Sequence, residues 1–285
     1  FSPAISLAAP ILKSLLSIPQ YSVCKHQTRV KTMPPTLSVD MTSCNSNDRG
    51  YRRLNHLLNP GPELDLSDIN SQARTEIERY IAKQFQTAHG ANIKDFLPLF
   101  LSLRCNNKLT AVTGICPAGN HPLFIEQYLD TPIEDEINRF SSQNVQRSAI
   151  AEIGNLAATQ RGSSQLLFIL LAATLHQVNI EWLTFTATPQ VQKMIGKLGF
   201  QLHPIKEASP LCLHHSSVKN WGSYYDSKPM VVVGRLDEAM ETISDRQVLK
   251  GMLSLYKNRI DTLAGVIRNT SSNGYGNDAQ YYFAA

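Results

Sequence analysis

Glu152 stands inside an otherwise apolar run, Ala149-Ile150-Ala151-Glu152-Ile153-Gly154-Asn155-Leu156-Ala157-Ala158. Residues of one alternating set (Ala149, Ala151, Ile153, Ala157) and of the other (Ile150, Gly154, Leu156) are both apolar, the pattern of a central strand covered on both sides. A carboxylate buried there without a partner costs several kcal/mol, so Glu152 is paired, protonated or turned towards a wet cleft. It is a candidate general base; the competing reading is an ion pair with a nearby Arg or Lys that only holds the fold. Asn155 is the second polar residue of the run, on the opposite face. Next comes Thr159-Gln160-Arg161-Gly162-Ser163-Ser164-Gln165, a polar turn ahead of an apolar helix. The first N–H groups of a helix have no intrahelical partner, so such a turn can cradle an anion. Gly162 tolerates positive φ, Ser163 and Ser164 let a bulky anion approach, and Arg161 adds charge. Ser163 or Ser164 serves equally well as a plain N-cap. A second candidate base is Glu126, four residues before Asp130 and on the same face if that segment is helical; a solvated helix face is the competing reading.

The elements that must position these groups follow from periodicity. Leu166 to Leu175 is apolar all round and far shorter than the ~20 residues that span a bilayer, hence a helix inside a protein core. Trp182 to Thr188 has the residue types of a strand. From Pro189, a first-turn residue, Val191, Met194, Ile195 and Leu198 recur at helical spacing up to a C-capping Gly199. Upstream, Ser71 to His89 reads as a helix with Ile77, Tyr80, Ile81, Gln84 and Phe85 on one face. Phe96–Leu103 and Leu109–Cys116 read as a hairpin turning at Asn106-Asn107. Gly154, in mid-strand, marks a bulge or a close approach by a ligand or another backbone.

This order of strand, polar turn, helix, strand and short helix resembles the second half of the GNAT N-acyltransferase fold. In that family the turn reads R/Q-x-x-G-x-G/A and its amides hold the pyrophosphate of acyl-CoA. Thr159, Gly162 and Ser164 stand at its defining positions, with Thr159 in place of Arg or Gln, which keeps the phosphopantetheine of an acyl carrier protein open beside acyl-CoA as donor. Glu152-Ile153-Gly154-Asn155-Leu156 resembles the Glu-Ile-Ser-Arg-Phe strand of acyl-homoserine-lactone synthases; Asn155 replaces its Arg, so their substrate recognition does not carry over. Between about Glu76 and Arg235 the chain resembles the bacterial thermostable hemolysins, through Leu123 to Asp130, Glu152 to Ala157, Phe185-Thr186-Ala187-Thr188 and Trp221-Gly222-Ser223-Tyr224-Tyr225. That likeness implies an association with lysis of red cells.

The resemblance thus implies an α/β (α+β) protein with a GNAT-like central mixed sheet flanked by helices. It implies catalysis at Glu152, Glu126 or Asn155. It also implies an acyl donor held along Leu156 and Ala158 and by Thr159, Gln160, Arg161, Gly162, Ser163 and Ser164. On that reading the expected acceptor is a small amine or amino acid, and lysis is expected to follow from a detergent-like N-acyl product. The rival readings are a cytolysin acting directly on membranes and a catalytically dead binding module. An acyltransferase is expected in the cytoplasm; a direct toxin is expected to be secreted.

With 285 residues, a formal charge of +4 and 18% charged residues, the chain is too mildly basic for a dedicated nucleic-acid binder. Its five Cys have neither disulfide-framework nor zinc spacing. Cys212, His214 and His215 are close together, but adjacent histidines on a strand point apart, and no metal is expected. Residues 1–70 are expected to form a largely disordered leader. Ala4–Ile18 lacks a basic start and a cleavage site, and reads equally as translated upstream sequence ahead of Met33 or Met41. Residues 71–235 carry the acyltransferase-like domain. Residues 236–268 form an amphipathic helical extension suited to docking on a partner or on the chain itself, and 269–285 a flexible tail. Trp221, Tyr224 and Tyr225 line an acyl-chain tunnel or plug a sheet edge.

Overall fold

A computed structural model describes residues 61–119, 121–213 and 218–272, with backbone alone for 270–272. The leader up to residue 60, with Ala4–Ile18, Met33 and Met41, lies outside the described residues, as do His214, His215 and the chain beyond 272.

Seven strands form one mixed sheet: β1 (Glu63–Ser67), β2 (Leu99–Cys105), β3 (Lys108–Pro117), β4 (Ile150–Ala158), β5 (Trp182–Ala187), β6 (His203–Glu207) and β7 (Met230–Arg235). Their order is β1-β2-β3-β4-β5-β7-β6. The helices are α1 (Arg74–His89), α2 (Ile133–Asn138), α3 (Ser163–His176), α4 (Pro189–Leu198), α5 (Leu236–Asp245) and α6 (Gln247–Ser272). The central mixed sheet flanked by helices is the architecture expected from the sequence. β4 is its middle strand, and only its pairing with β5 is parallel. The hairpin of β2 and β3 turns at Asn106 and Asn107, whose φ values of 50° and 61° are those of a tight primed turn. Asparagine is among the few L-residues that enter this region at low cost.

Helix α3 is buried from Leu166 through Leu175 because both its sides are covered. The sheet lies on one side, through Leu101, Ile115, Ala151, Ile153 and Leu183. The helical pair α5 and α6 lies on the other, through Ile243, Met252, Tyr256, Ile260 and Leu263. The 236–268 extension is therefore part of the main core. It is two helices, not one. Arg246 breaks the run in an extended conformation, and its guanidinium lies against Gly199, the residue that caps α4.

Two further differences matter. Glu63–Ser67, inside the segment expected to lack order, is an edge strand paired with β2. Tyr256 Oη donates to Pro62 O at 2.8 Å and Arg259 Nε donates to Leu64 O at 2.6 Å, fastening this strand to α6. The second difference is the change of face that follows the bulge in β4, a bulge that Gly154 marks in the sequence as one of two readings. Gly114 pairs with Gly154 and Val112 with Ala157, so an extra β4 residue is accommodated between them. Asn155 takes it up with φ of 50°. Every side chain beyond it changes face. Ala157, expected beside Ile153, packs with Ile77, Ile81 and Val112 under α1 instead, and Leu156 and Ala158 join the α3 core.

Candidate functional site

The β4–β5 pairing has only three rungs, Ile150 with Trp182, Ala151 with Leu183 and Glu152 with Thr184. Past Glu152, β4 stays paired with β3 as far as Ala158, while β5 stays paired with β7 as far as Ala187. The two parallel strands therefore part company in the middle of the sheet. Gly154, Asn155, Leu156 and Ala158 are only half-buried although they belong to the central strand. Beyond Glu152 the inner edge of β4 is thus no longer covered by β5.

Glu152 occupies the last paired rung and is buried. Its Oε2 accepts the backbone N–H of Phe124 at 2.7 Å. Phe124 opens a 3-10 turn, Phe124–Tyr128, which lies on the face opposite α3. Burial pushes the Glu152 carboxyl up to about 8; the amides of Phe124 and Ile125 act against this, and the Glu126 charge adds to it. No Arg or Lys is placed on it, so the ion-pair alternative does not hold among the described residues. Cys116, its neighbour across the β3–β4 ladder, is driven far up by burial first and by the Glu152 charge second. It is an inert thiol. Tyr128 Oη and Tyr225 Oη share a hydrogen bond of 2.6 Å, and Tyr224 Oη bonds Thr186 Oγ1 at 3.1 Å. Burial holds all three phenols above their ordinary range.

At the open end of the split, the turn after β4 is exposed from Thr159 to Arg161. Gly162, with φ of 84°, is the N-cap of α3, and no side chain caps the helix. The positive φ is what makes glycine the fitting residue here. Neither Ser163 nor Ser164 is the cap. Ser163 is instead fully buried, and its Oγ has no hydrogen-bond partner among the described residues. An orphaned hydroxyl beside a helix N-terminus that no side chain caps fits an anion with several acceptor oxygens. Thr159, at the position where the resembled motif has Arg or Gln, is tied down: its N–H donates to Thr110 O at 3.0 Å, and its Oγ1 bonds Tyr80 Oη at 3.1 Å.

Asn155 and Glu126 are occupied elsewhere. Asn155 Oδ1 accepts Leu97 N–H at 2.9 Å and its amide donates to Asp95 O at 3.2 Å, clamping the approach to β2. Gly114 is required beside it, because a Cβ there would meet Leu97 Cβ at 2.8 Å. Glu126 is not on a regular helix face with Asp130. Its two oxygens accept Leu123 N–H at 2.7 Å, Ile133 N–H at 3.0 Å and two bonds from Arg147 at 2.7 and 2.9 Å. Burial alone would raise its carboxyl, but these bonds outweigh burial and hold it below the usual range. Asp130 is exposed and pairs with Lys206. Arg147, which nothing in the sequence singled out, spends all five guanidinium donors: on Glu126 twice, on Glu134, on Gly119 O and on His121 O.

No group of three or more His, Cys, Asp or Glu side chains among the described residues is arranged to hold a metal ion. No described helix is long and apolar enough to cross a membrane.

A comparison with the curated proteins finds no match. Among solved structures, the chain is similar to FeeM, an N-acyl amino acid synthase from uncultured soil microbes, at 15% identity over 64% of this chain and 95% of that one, with a TM-score of 0.45. It is also similar to BjaI, a CoA-dependent acyl-homoserine lactone synthase solved with SAM and isopentyl-CoA, at 10% identity over 70% of this chain and 90% of that one, TM-score 0.43. The AHL synthase LasI gives 13%, 62%, 91% and 0.40. At this level none of them fixes a substrate for this chain. Residues 68–240 match the model of the family described as thermostable hemolysin.

Proposed function

The chain belongs to the thermostable hemolysin family, and from that premise we propose that it is an N-acyltransferase that moves a fatty acyl group from a pantetheine thioester to an amine or amino acid. The observation that carries this reading is the parting of β4 and β5 immediately beyond Glu152 and Thr184. We read this parting as a cleft, with Glu152 as the proton acceptor at its closed end and the α3 N-terminus at its open end.

A pantetheine arm is long, thin and rich in amides, so it suits the β4 edge from Leu156 to Ala158, where backbone groups can pair with it as a strand would. Its phosphate end is assigned to the turn of Thr159, Gln160, Arg161, Gly162, Ser163 and Ser164. There the α3 N-terminus and the orphaned Ser163 Oγ favour an anion. The thioester supplies an activated acyl carbon when bound; the chain supplies position and a proton acceptor. Glu152 takes the amine proton, directly or through a water, as the amine nitrogen bonds the acyl carbon; the C–S bond then breaks and the pantetheine sulfur leaves as a thiol, taking up a proton from Glu152 or water. A carboxyl near 8 is better matched to an ammonium acceptor at neutral pH than an ordinary one near 4.5. Asn155 contributes by shaping the bulge that turns β4 away from β5, and Glu126 by holding a loop in place, not by proton transfer.

Acyl-CoA and acyl carrier protein both carry the required arm, and the assay separates them. Purified protein is incubated with a long-chain acyl-CoA or with acyl carrier protein loaded with the same chain, plus a pool of amines and amino acids. Amide products are read by mass spectrometry. Amide is expected from at least one donor, with a fall of ~100-fold or more in Glu152→Gln and loss of saturable donor binding in Gly162→Asp. Absence of amide from both donors overturns the reading. Lysis is then tested on red cells: the amphiphilic product should lyse them, and the protein without donor should not. Rapid lysis by protein alone would instead favour a directly acting cytolysin.

A further inference from the structure

Phe124 and Ile125, whose amides face Glu152, sit on a short irregular segment that no strand pairing holds. Leu123, Ile125 and Tyr128 bury it in the apolar cluster of this face, and one polar cluster sets its backbone. Glu126 accepts the N–H groups of Leu123 and Ile133, one on each side of the turn. Arg147, on the 3-10 turn leading into β4, grips Glu126 with two donors. It also reaches Glu134 at 2.7 Å, Gly119 O at 2.7 Å and His121 O at 2.8 Å. A planar guanidinium with all five donors used fixes orientation as well as distance. Glu152 is five residues along the same chain from Arg147, so one continuous segment, the 3-10 turn running into β4, carries both the clasp and the carboxyl on which it seats the amide.

We propose that Arg147, acting through Glu126, is a positioning residue that holds the Phe124 amide on Glu152 and so sets the state in which that carboxyl meets the acceptor amine. Its catalytic consequence rests on the reading of Glu152 as the base; the effect on Glu152 itself does not. The groups that face Glu152 are Cys116 from β3, Tyr128 and Glu126 from the 3-10 turn, and Tyr225 behind Tyr128, with uncharged Thr184 from β5. Cys116, Tyr128 and Tyr225 stay neutral at neutral pH, which leaves Glu126 as the charge that Arg147 compensates.

The test is a direct titration of Glu152 by its carboxyl infrared band, identified by its loss in Glu152→Gln. It is run on the full chain as wild type, Arg147→Gln and Arg147→Lys, with circular dichroism to confirm folding. In Arg147→Gln the amide loosens and the charges of Glu126 and Glu134 are uncovered. Both effects favour the proton, so the midpoint should rise by about one pH unit. Arg147→Lys keeps the charge but not the fork, and should rise by less; it also serves if the Gln variant fails to fold. In the amide assay the rise of kcat with pH should move up by the same amount. The rate at pH 7 should then fall roughly tenfold while KM for the donor holds. An unchanged Glu152 midpoint in the folded Arg147 variants overturns the proposal, even if wild type makes amide. A midpoint that moves in a protein making no amide leaves the clasp standing and removes the acyltransferase reading instead.

Discussion

The two faces of the sheet are built on opposite principles. Against one lie α3, α5 and α6, joined by aliphatic side chains in one continuous cluster. Against the other lie α1 and a set of irregular turns, and here the buried residues include Glu152, Cys116, Tyr128 and Tyr224. The first face is closed and apolar, so its groups gain from leaving water. The second buries polar atoms that must be matched one by one, and a segment without regular structure supplies the matches through backbone N–H groups and an Arg–Glu clasp. The continuous aliphatic core lies on one side of β4 and the buried polar groups on the other, and β4 itself changes allegiance at the Asn155 bulge.

Placing a charge on the closed face should break the contrast most severely. Leu170→Asp puts an unpaired carboxylate in the middle of α3, and loss of the cooperative unfolding transition is the expected outcome in denaturant titration. On the open face, the charge is already present and its effect depends on pH. Glu152 holds its proton more tightly in the fold, up to about 8, than at its ordinary 4.5. Its contribution to stability is therefore complete below pH 4.5 and is lost as pH climbs through about 8. Unfolding free energies of wild type and Glu152→Gln, compared at pH 5 and pH 9, should diverge in favour of the variant by a few kcal/mol. Asn155→Ala should cost ~1–3 kcal/mol by orphaning Leu97 N–H and removing a residue that tolerates positive φ, and should weaken donor binding because the bulge shapes the cleft. The mildest change is Tyr225→Phe. It removes the hydroxyl bonded to Tyr128, and a loss of ~0.5–1.5 kcal/mol is expected in the same denaturant assay.

The closed face was legible because its residues repeat. The unbroken apolar run of α3, the Pro-to-Gly frame of α4 and the Asn-Asn turn of the hairpin each carry their own local signal. The other face carries little of this kind. Arg147 draws its side-chain partners from 13 and 21 positions away, and nothing about the residue itself announces them. Glu126 stood out as an acid, but only the fold reveals that it is spent on a clasp. Gly154 hinted at the bulge, yet the face change that follows depends on register with β3. β1 was overlooked because Glu63, Asp65 and Ser67 depress strand propensity. Its alternation with Leu64 and Leu66 was the available clue, and an edge strand tolerates such charges.

The ties from Tyr256 and Arg259 to Pro62 and Leu64 join positions 194 and 195 residues apart. On the ribosome, the sheet through β7 can assemble while α6 is still inside the exit tunnel. Until then β1 has no helix across it, and the outer surface of α3 remains bare. Closure of the core thus waits for α6, well after the sheet is complete, and in that interval the apolar outer side of α3 is uncovered.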